Sequence, residues 1–193
     1  MPVKRVVIVH GHASHPDKYW FASLATSLRR GIQEVPIPRM PLPYLPLIPS
    51  WTNRLCEIVG DHPEETAIIG HSFGGIAAFY LADNLAYCRM LAAIVVIASP
   101  VKWVWHPSFP ARVILFAREP DWKRVNIGAR KILLVYSAND WITPINNATY
   151  LQNQLDNKAL VLPNHGHFLA SSLPDEVKVQ IARTFGLNDQ LLL

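Results

Sequence analysis

Several things are scarce in this chain, and each scarcity removes a class of protein. Only two of its 193 residues are cysteine, Cys56 and Cys88, and neither lies in a C-x-x-C pair or a disulfide-framework spacing. A stapled secreted scaffold and a thiolate metal site are both excluded by that pattern, and two buried free thiols in a reducing compartment are expected. Long apolar runs are missing as well. After Lys4-Arg5 only Val6 to Val9 are apolar, too few for a signal-peptide core, and no segment approaches the ~18 apolar residues of a membrane span. A cytoplasmic protein with no membrane partner is the expectation. Charge is thin, with 17% charged residues and 18 basic against 14 acidic, and the basic residues are scattered in pairs such as Arg29-Arg30 and Lys123-Arg124. No nucleic-acid surface follows from so dispersed a charge. Repeats and low-complexity tails are absent too.

What remains is half hydrophobic, at a length suited to one domain with a substantial core, taken here as residues 1–193. Five short β-branched runs read as buried parallel strands: residues 5–10, 67–70, 92–98, 132–137 and 159–162. A sixth is expected around residues 32–37. Helical patterns alternate with them. The first carries Trp20, Leu24, Ala25 and Leu28 on one face, with Ser14 as its cap; later ones follow Thr143-Pro144 and Ser172 ahead of Pro174. Alternation of this kind demands right-handed crossovers and an open α/β sheet with helices on both faces. Between residues 35 and 50, Pro36, Pro38, Pro41, Pro43, Pro46 and Pro49 mean that the stretch cannot be a helix and should run extended across the surface, up to a helix beginning near Ser50. The expected result is a stiff connection with Leu42, Tyr44, Leu45 and Leu47 packed on the body; a polyproline ligand is the lesser alternative.

The stretch Gly70-His71-Ser72-Phe73-Gly74 is a G-x-S-x-G element between an apolar strand and a small-residue helix start. In that context it reads as a nucleophile elbow, a strained turn that lifts the Ser72 hydroxyl above the sheet edge. A serine hydroxyl needs a base within hydrogen-bond reach and an acid to hold that base in one tautomer. Asp140 follows the strand at 132–137, and His165 and His167 follow the strand at 159–162, so all emerge at the carboxyl edge where α/β sheets bind ligands. The order Ser72, Asp140, His167 is that of α/β-hydrolases. His167, between Gly166 and Phe168, is preferred over His165 as base, and Thr143 is expected to cap the next helix, leaving Asp140 to the histidine. The amides of Phe73 and of His12, in the turn His10-Gly11-His12, are the expected oxyanion donors. Trp141 and His71 are candidate substrate contacts, with Trp103, Trp105 and Phe109 as further aromatics. The pairs His165-x-His167 and His10-x-His12 lack a convincing partner set for a metal, so neither metal nor cofactor is expected.

The elbow, Tyr19-Trp20, Met40-Pro41-Leu42-Pro43, Pro120-Asp121-Trp122, Ser137-Ala138-Asn139-Asp140 and Gly166-His167-Phe168 stand in an order and spacing that cover nearly the whole chain. In these landmarks the chain resembles the small α/β-hydrolase-fold serine hydrolases related to retinoblastoma-binding protein nine and its bacterial relatives. The resemblance implies a trimmed six-stranded parallel sheet in order 2-1-3-4-5-6, no large lid, and a triad at Ser72, Asp140 and His167. It does not imply a retinoblastoma-type partner, because Leu55-Cys56-Glu57 are contiguous where that contact needs an L-x-C-x-E spacing. Hydrolysis of a small ester or amide through an acyl-enzyme is the expected reaction. A catalytically silent binding protein on the same fold and an acyltransferase are the rival readings.

Overall fold

The computed structural model describes residues 2–102 and 119–193. Strands β1 (Arg5–Val9), β2 (Thr66–His71), β3 (Ala93–Ile97), β4 (Ile132–Ser137) and β5 (Ala159–Leu162) form one sheet in the order β1-β2-β3-β4-β5. Every pair is parallel. Strands β2 and β3 are buried throughout, as unbroken β-branched runs require when helices cover both faces.

The expected sixth strand is reduced to a bridge. Glu34 pairs with Arg5 in parallel, its amide donating to the Lys4 carbonyl and its carbonyl accepting from Val6. The Ile8 amide reaches the Pro36 carbonyl, but Pro36 and Pro38 have no N–H to return, so the ladder stops. The segment still occupies the edge position beside β1 that the order 2-1-3-4-5-6 assigns to it.

Helices α1 (Phe21–Leu28) and α6 (Asp175–Phe185) cover one face. There Phe21, Leu24, Leu28, Val177 and Ile181 pack with Val6, Ile8, Ile69 and Val95. Helices α2 (Ile48–Val59), α3 (Phe73–Leu85), α4 (Trp122–Gly128) and α5 (Asn146–Leu155) cover the other. Trp51, Leu55, Ile76, Phe79 and Leu151 meet Val7, Val9, Ile68 and Val96 on that side. Alternate residues of β1 thus feed opposite cores, the period-two consequence of the pleat.

Local signals failed in identifiable ways. Helices α1, α5 and α6 begin at Trp20, Ile145 and Pro174 without a side-chain cap, so Ser14, Thr143 and Ser172 do not cap them. Cys56 and Cys88 are exposed, not buried, which removes the packing argument for reduced thiols. Leu42, Tyr44, Leu45 and Leu47 are also exposed, at 62, 77, 55 and 40%, in place of the expected packing. The connection is anchored instead by buried Met40 and by the Trp51 indole N–H, which donates to the Pro41 carbonyl at 2.6 Å. With those two points pinned, the Leu42-to-Leu45 turn projects outward.

Candidate active site

The β2–α3 junction is built on close backbone approach. A Cβ on Gly74 would fall inside van der Waals contact of the Val9 carbonyl oxygen and 2.8 Å from that of His10, and one on Gly70 would meet the Gly74 carbonyl at 2.5 Å. Only glycine lets the start of α3 press against both strands. Ser72 absorbs the turn at φ 51° and ψ −118°, a conformation that costs a non-glycine residue roughly 1–3 kcal/mol. Its amide is tied to the Ile97 carbonyl at 2.8 Å, and its carbonyl accepts from Gly75 at 3.0 Å. Phe73 is the first residue of α3, which puts its amide in the first turn at the helix N-terminus, directly after Ser72.

The loop after β1 runs directly over this serine. A Cβ on Gly11 would lie 2.9 Å from the Ser72 Cβ and 3.4 Å from its Oγ. The loop is held from outside, the Ala13 amide donating to the Pro43 carbonyl at 2.8 Å and the His12 Nε2 lying 3.2 Å from the Tyr44 carbonyl. His10 holds it from inside: Nε2 accepts from the Met40 amide at 3.1 Å, so Nδ1 carries the proton toward the Gly11 carbonyl at 2.9 Å. Burial pushes the His10 pKa below its ordinary value, which preserves this neutral tautomer.

Behind His167, Asp140 divides its two oxygens. Oδ1 accepts from the amides of Ile142 and Thr143, each at 2.9 Å, while Oδ2 lies 2.8 Å from His167 Nδ1. Asp140 therefore ties the turn ahead of α5, which Thr143 does not cap, and serves the histidine at the same time. Both partners are buried, Asp140 at 4% and His167 at 7% exposure. His165, by contrast, is exposed and stacks on Phe168.

Two side chains that the sequence marks only as part of the Ser137-to-Asp140 landmark, with no role assigned, join the acid loop to the histidine loop. Ser137 Oγ accepts from the His165 amide at 2.9 Å and donates to Asn139 Oδ1 at 2.8 Å, and Asn139 Oδ1 accepts from the Gly166 amide at 2.8 Å. The available signal was a serine ending β4 and an asparagine directly before Asp140.

Gly11, His12, Ser72, Phe73, His167 and Trp141 border one cavity of about 310 Å³, with Tyr19, His71 and Leu169 among its other walls. Trp141 and Leu169 stand at 59 and 45% exposure. His71 borders the cavity but is 2% exposed, and its Nε2 is committed to the His167 carbonyl at 2.9 Å. Trp103, Trp105 and Phe109 lie outside the described residues. Among the described residues no group of three or more His, Cys, Asp or Glu could hold a metal ion, and no helix is long and apolar enough to cross a membrane.

Burial drives the His71 pKa down to about 3. An unfolded histidine titrates near ~6.5, so this contribution to stability is complete above that pH and is lost as pH falls toward the folded value. Unfolding free energy is expected to drop between about pH 6.5 and 5 by up to roughly 1.4 kcal/mol per unit. Urea titrations at stepped pH will show it, and His71→Gln should flatten the slope by about one proton.

The comparisons with known proteins agree with this architecture. The Bacillus subtilis protein YdeN is 25% identical over 169 residues, covering 86% of each chain. The crystal structure of the ydeN gene product superposes with a TM-score of 0.85, covering 95% of this chain and all of that one. Est1E from Butyrivibrio proteoclasticus shares the fold at 13% identity, with a TM-score of 0.65 over 87% of this chain and 81% of its own. Residues 6–176 match the model of a family described as serine hydrolase, so this chain belongs to the serine hydrolase family and has the α/β-hydrolase fold.

Proposed function

We propose that the chain cleaves a small carboxylic ester, or an amide, through an acyl-enzyme on Ser72. The observation that carries this reading is the 2.8 Å contact of Asp140 Oδ2 with Nδ1 of His167, a residue that borders the same cavity as Ser72. A carboxylate oxygen can only accept, so Nδ1 carries a proton and Nε2 is left with its lone pair. That nitrogen takes the Ser72 proton as Oγ attacks the substrate carbonyl, and Asp140 stabilises the imidazolium. The amides of Phe73 and His12 hold the oxyanion of the tetrahedral intermediate. His167 then protonates the departing alcohol or amine. Water, deprotonated by the same nitrogen, releases the acid and restores Ser72.

A fluorophosphonate probe tests the reading. Labelling that maps to Ser72, together with turnover of p-nitrophenyl acetate, is expected; a folded protein that shows neither would turn the assignment toward a silent binding protein.

The exposed indole of Trp141 and the side chain of Leu169 support an apolar acyl or alcohol group at the cavity mouth. Replacing Trp141 by alanine is expected to lower the octanoate-to-acetate ratio of kcat/KM about tenfold, the scale of one or two methylenes of lost contact. Measuring p-nitrophenyl esters from acetate to octanoate decides it, and an unchanged ratio would remove Trp141 from the substrate path.

A further inference from the structure

We propose that His71 is a positioning residue whose ring N–H holds the main-chain carbonyl of His167 and thereby sets the distance between base and nucleophile. The inference rests on the hydrolase reading above and deepens it.

His71 ends β2, immediately before Ser72, and its backbone is paired in register with Ile97. Its main chain therefore moves with the nucleophile. From that point its ring reaches 96 residues along the chain to the His167 carbonyl, Nε2 to oxygen 2.9 Å. A carbonyl only accepts, so Nε2 bears the proton; the buried Nδ1 has no hydrogen-bond partner among the described residues and keeps its lone pair. The ring is neutral and its tautomer is dictated by the bond it makes. Tyr19, Trp20 and Phe21 surround it with ring centroids 5.8 to 6.0 Å away, which fixes its plane.

The histidine loop needs such a restraint. Gly166 and Phe168, on either side of His167, both have positive φ, 51° and 53°, and for a phenylalanine that is a strained backbone. Two successive carbonyls of the turn are pinned by ring donors. His71 takes that of His167, and the Trp20 indole N–H takes that of Phe168 at 3.0 Å. The acid loop holds the other flank, through Ser137 to the His165 amide and Asn139 to the Gly166 amide. His71 alone links the base to the strand that carries the nucleophile by a side-chain bond among these four restraints.

Neutrality matters as much as reach. The His71 and His167 rings lie 4.9 Å apart between centroids. During the reaction His167 becomes an imidazolium, and a permanent cation at this spacing in a buried site would oppose its formation. A lysine or arginine could donate the same bond but would impair the base. An uncharged N–H at that place supplies the restraint without the field.

The test compares His71→Leu, which removes the donor, with His71→Gln, whose amide can replace it. Ester turnover, its pH profile and the downfield proton-NMR signal of the His167 Nδ1–H are read on each, with far-UV CD and thermal unfolding to verify the fold. Leucine is expected to lower kcat about 100-fold with KM within threefold, to displace the acidic limb of the pH profile, and to shift or broaden the downfield signal. Glutamine is expected to recover kcat to within about fivefold of wild type. Should the leucine variant fail to fold, Trp20→Phe, which removes the neighbouring donor, is expected to give a smaller loss of about tenfold with the same change in the signal. Wild-type kcat and an unmoved signal in His71→Leu would overturn the proposal. So would glutamine as impaired as leucine, or a raised KM at unchanged kcat, which would make His71 a substrate contact instead. Wild-type protein that neither labels at Ser72 nor turns over ester would instead overturn the hydrolase reading, with the NMR signal still reporting on the clamp.

Discussion

Replacing Ser72 by alanine is expected to lower kcat on an activated ester by about 10^5-fold and to abolish fluorophosphonate labelling. The fold should survive, because the elbow is organised by the Ile97 carbonyl, the Gly75 amide and the glycine contacts, none of which uses Oγ. His167→Ala is expected to reach the same floor, and the double variant to fall little further, since in the proposed mechanism the two side chains act as one unit. His165→Ala is the control. Its ring is exposed, against Phe168, and the contact it makes with Ser137 uses its backbone amide, so its activity should stay within about twofold of wild type. The measurement is steady-state turnover of p-nitrophenyl acetate beside labelling of each purified variant. Loss of activity with His165 and retention with His167 would exchange the two assignments.

Asp140→Asn is expected to lower kcat about 10^4-fold at neutral pH while leaving the unfolding free energy within about 1 kcal/mol of wild type. The separation of these two effects follows from the division of labour between the carboxylate oxygens. Asparagine keeps an oxygen for the Ile142 and Thr143 amides, so the turn before α5 remains satisfied. Its amide nitrogen then faces His167 Nδ1, where Asp140 Oδ2 had been. Two N–H groups cannot share that line. The imidazole must move its proton to Nε2, and an Nε2–H cannot accept from a serine hydroxyl. Asp140→Ala should lose both functions, adding about 1–3 kcal/mol for the two amides left without an acceptor. Urea unfolding beside kcat distinguishes them, and an asparagine variant within tenfold of wild type would remove the tautomer argument.

The strands were legible because a parallel strand covered on both faces is written as a short β-branched run, and that pattern is local. Expected and observed limits of β2 to β5 differ by at most one residue at either end. The segment at 32–37 was harder to place. Its composition suits a strand, and only its position beside β1 shows that Pro36 and Pro38 leave the ladder without donors. Helix starts were misjudged at Ser14, Thr143 and Ser172, where a capping residue type stood close to a helix but pointed elsewhere. The hydroxyls of Ser14 and Thr143 are buried with no hydrogen-bond partner among the described residues. The exposed thiols and the exposed leucines of the proline-rich connection teach the same point, that an apolar neighbourhood in sequence is not burial in space.

From the sequence alone came the order of chemistry: a serine between two glycines at a strand-to-helix turn, then an aspartate and two histidines, each just past the carboxyl end of a later strand. Local sterics and strand order were enough for that, since parallel strands send every carboxyl end to one edge of the sheet. Only the tertiary structure decided how the groups share their partners. That Asp140 spends one oxygen on its own turn and the other on His167, that His165 lies outside, and that His71 reaches the His167 carbonyl are outcomes of contacts between residues far apart in the chain. A buried polar atom takes whichever partner the packed elements bring within about 3 Å, and no pattern within a single segment encodes that distance.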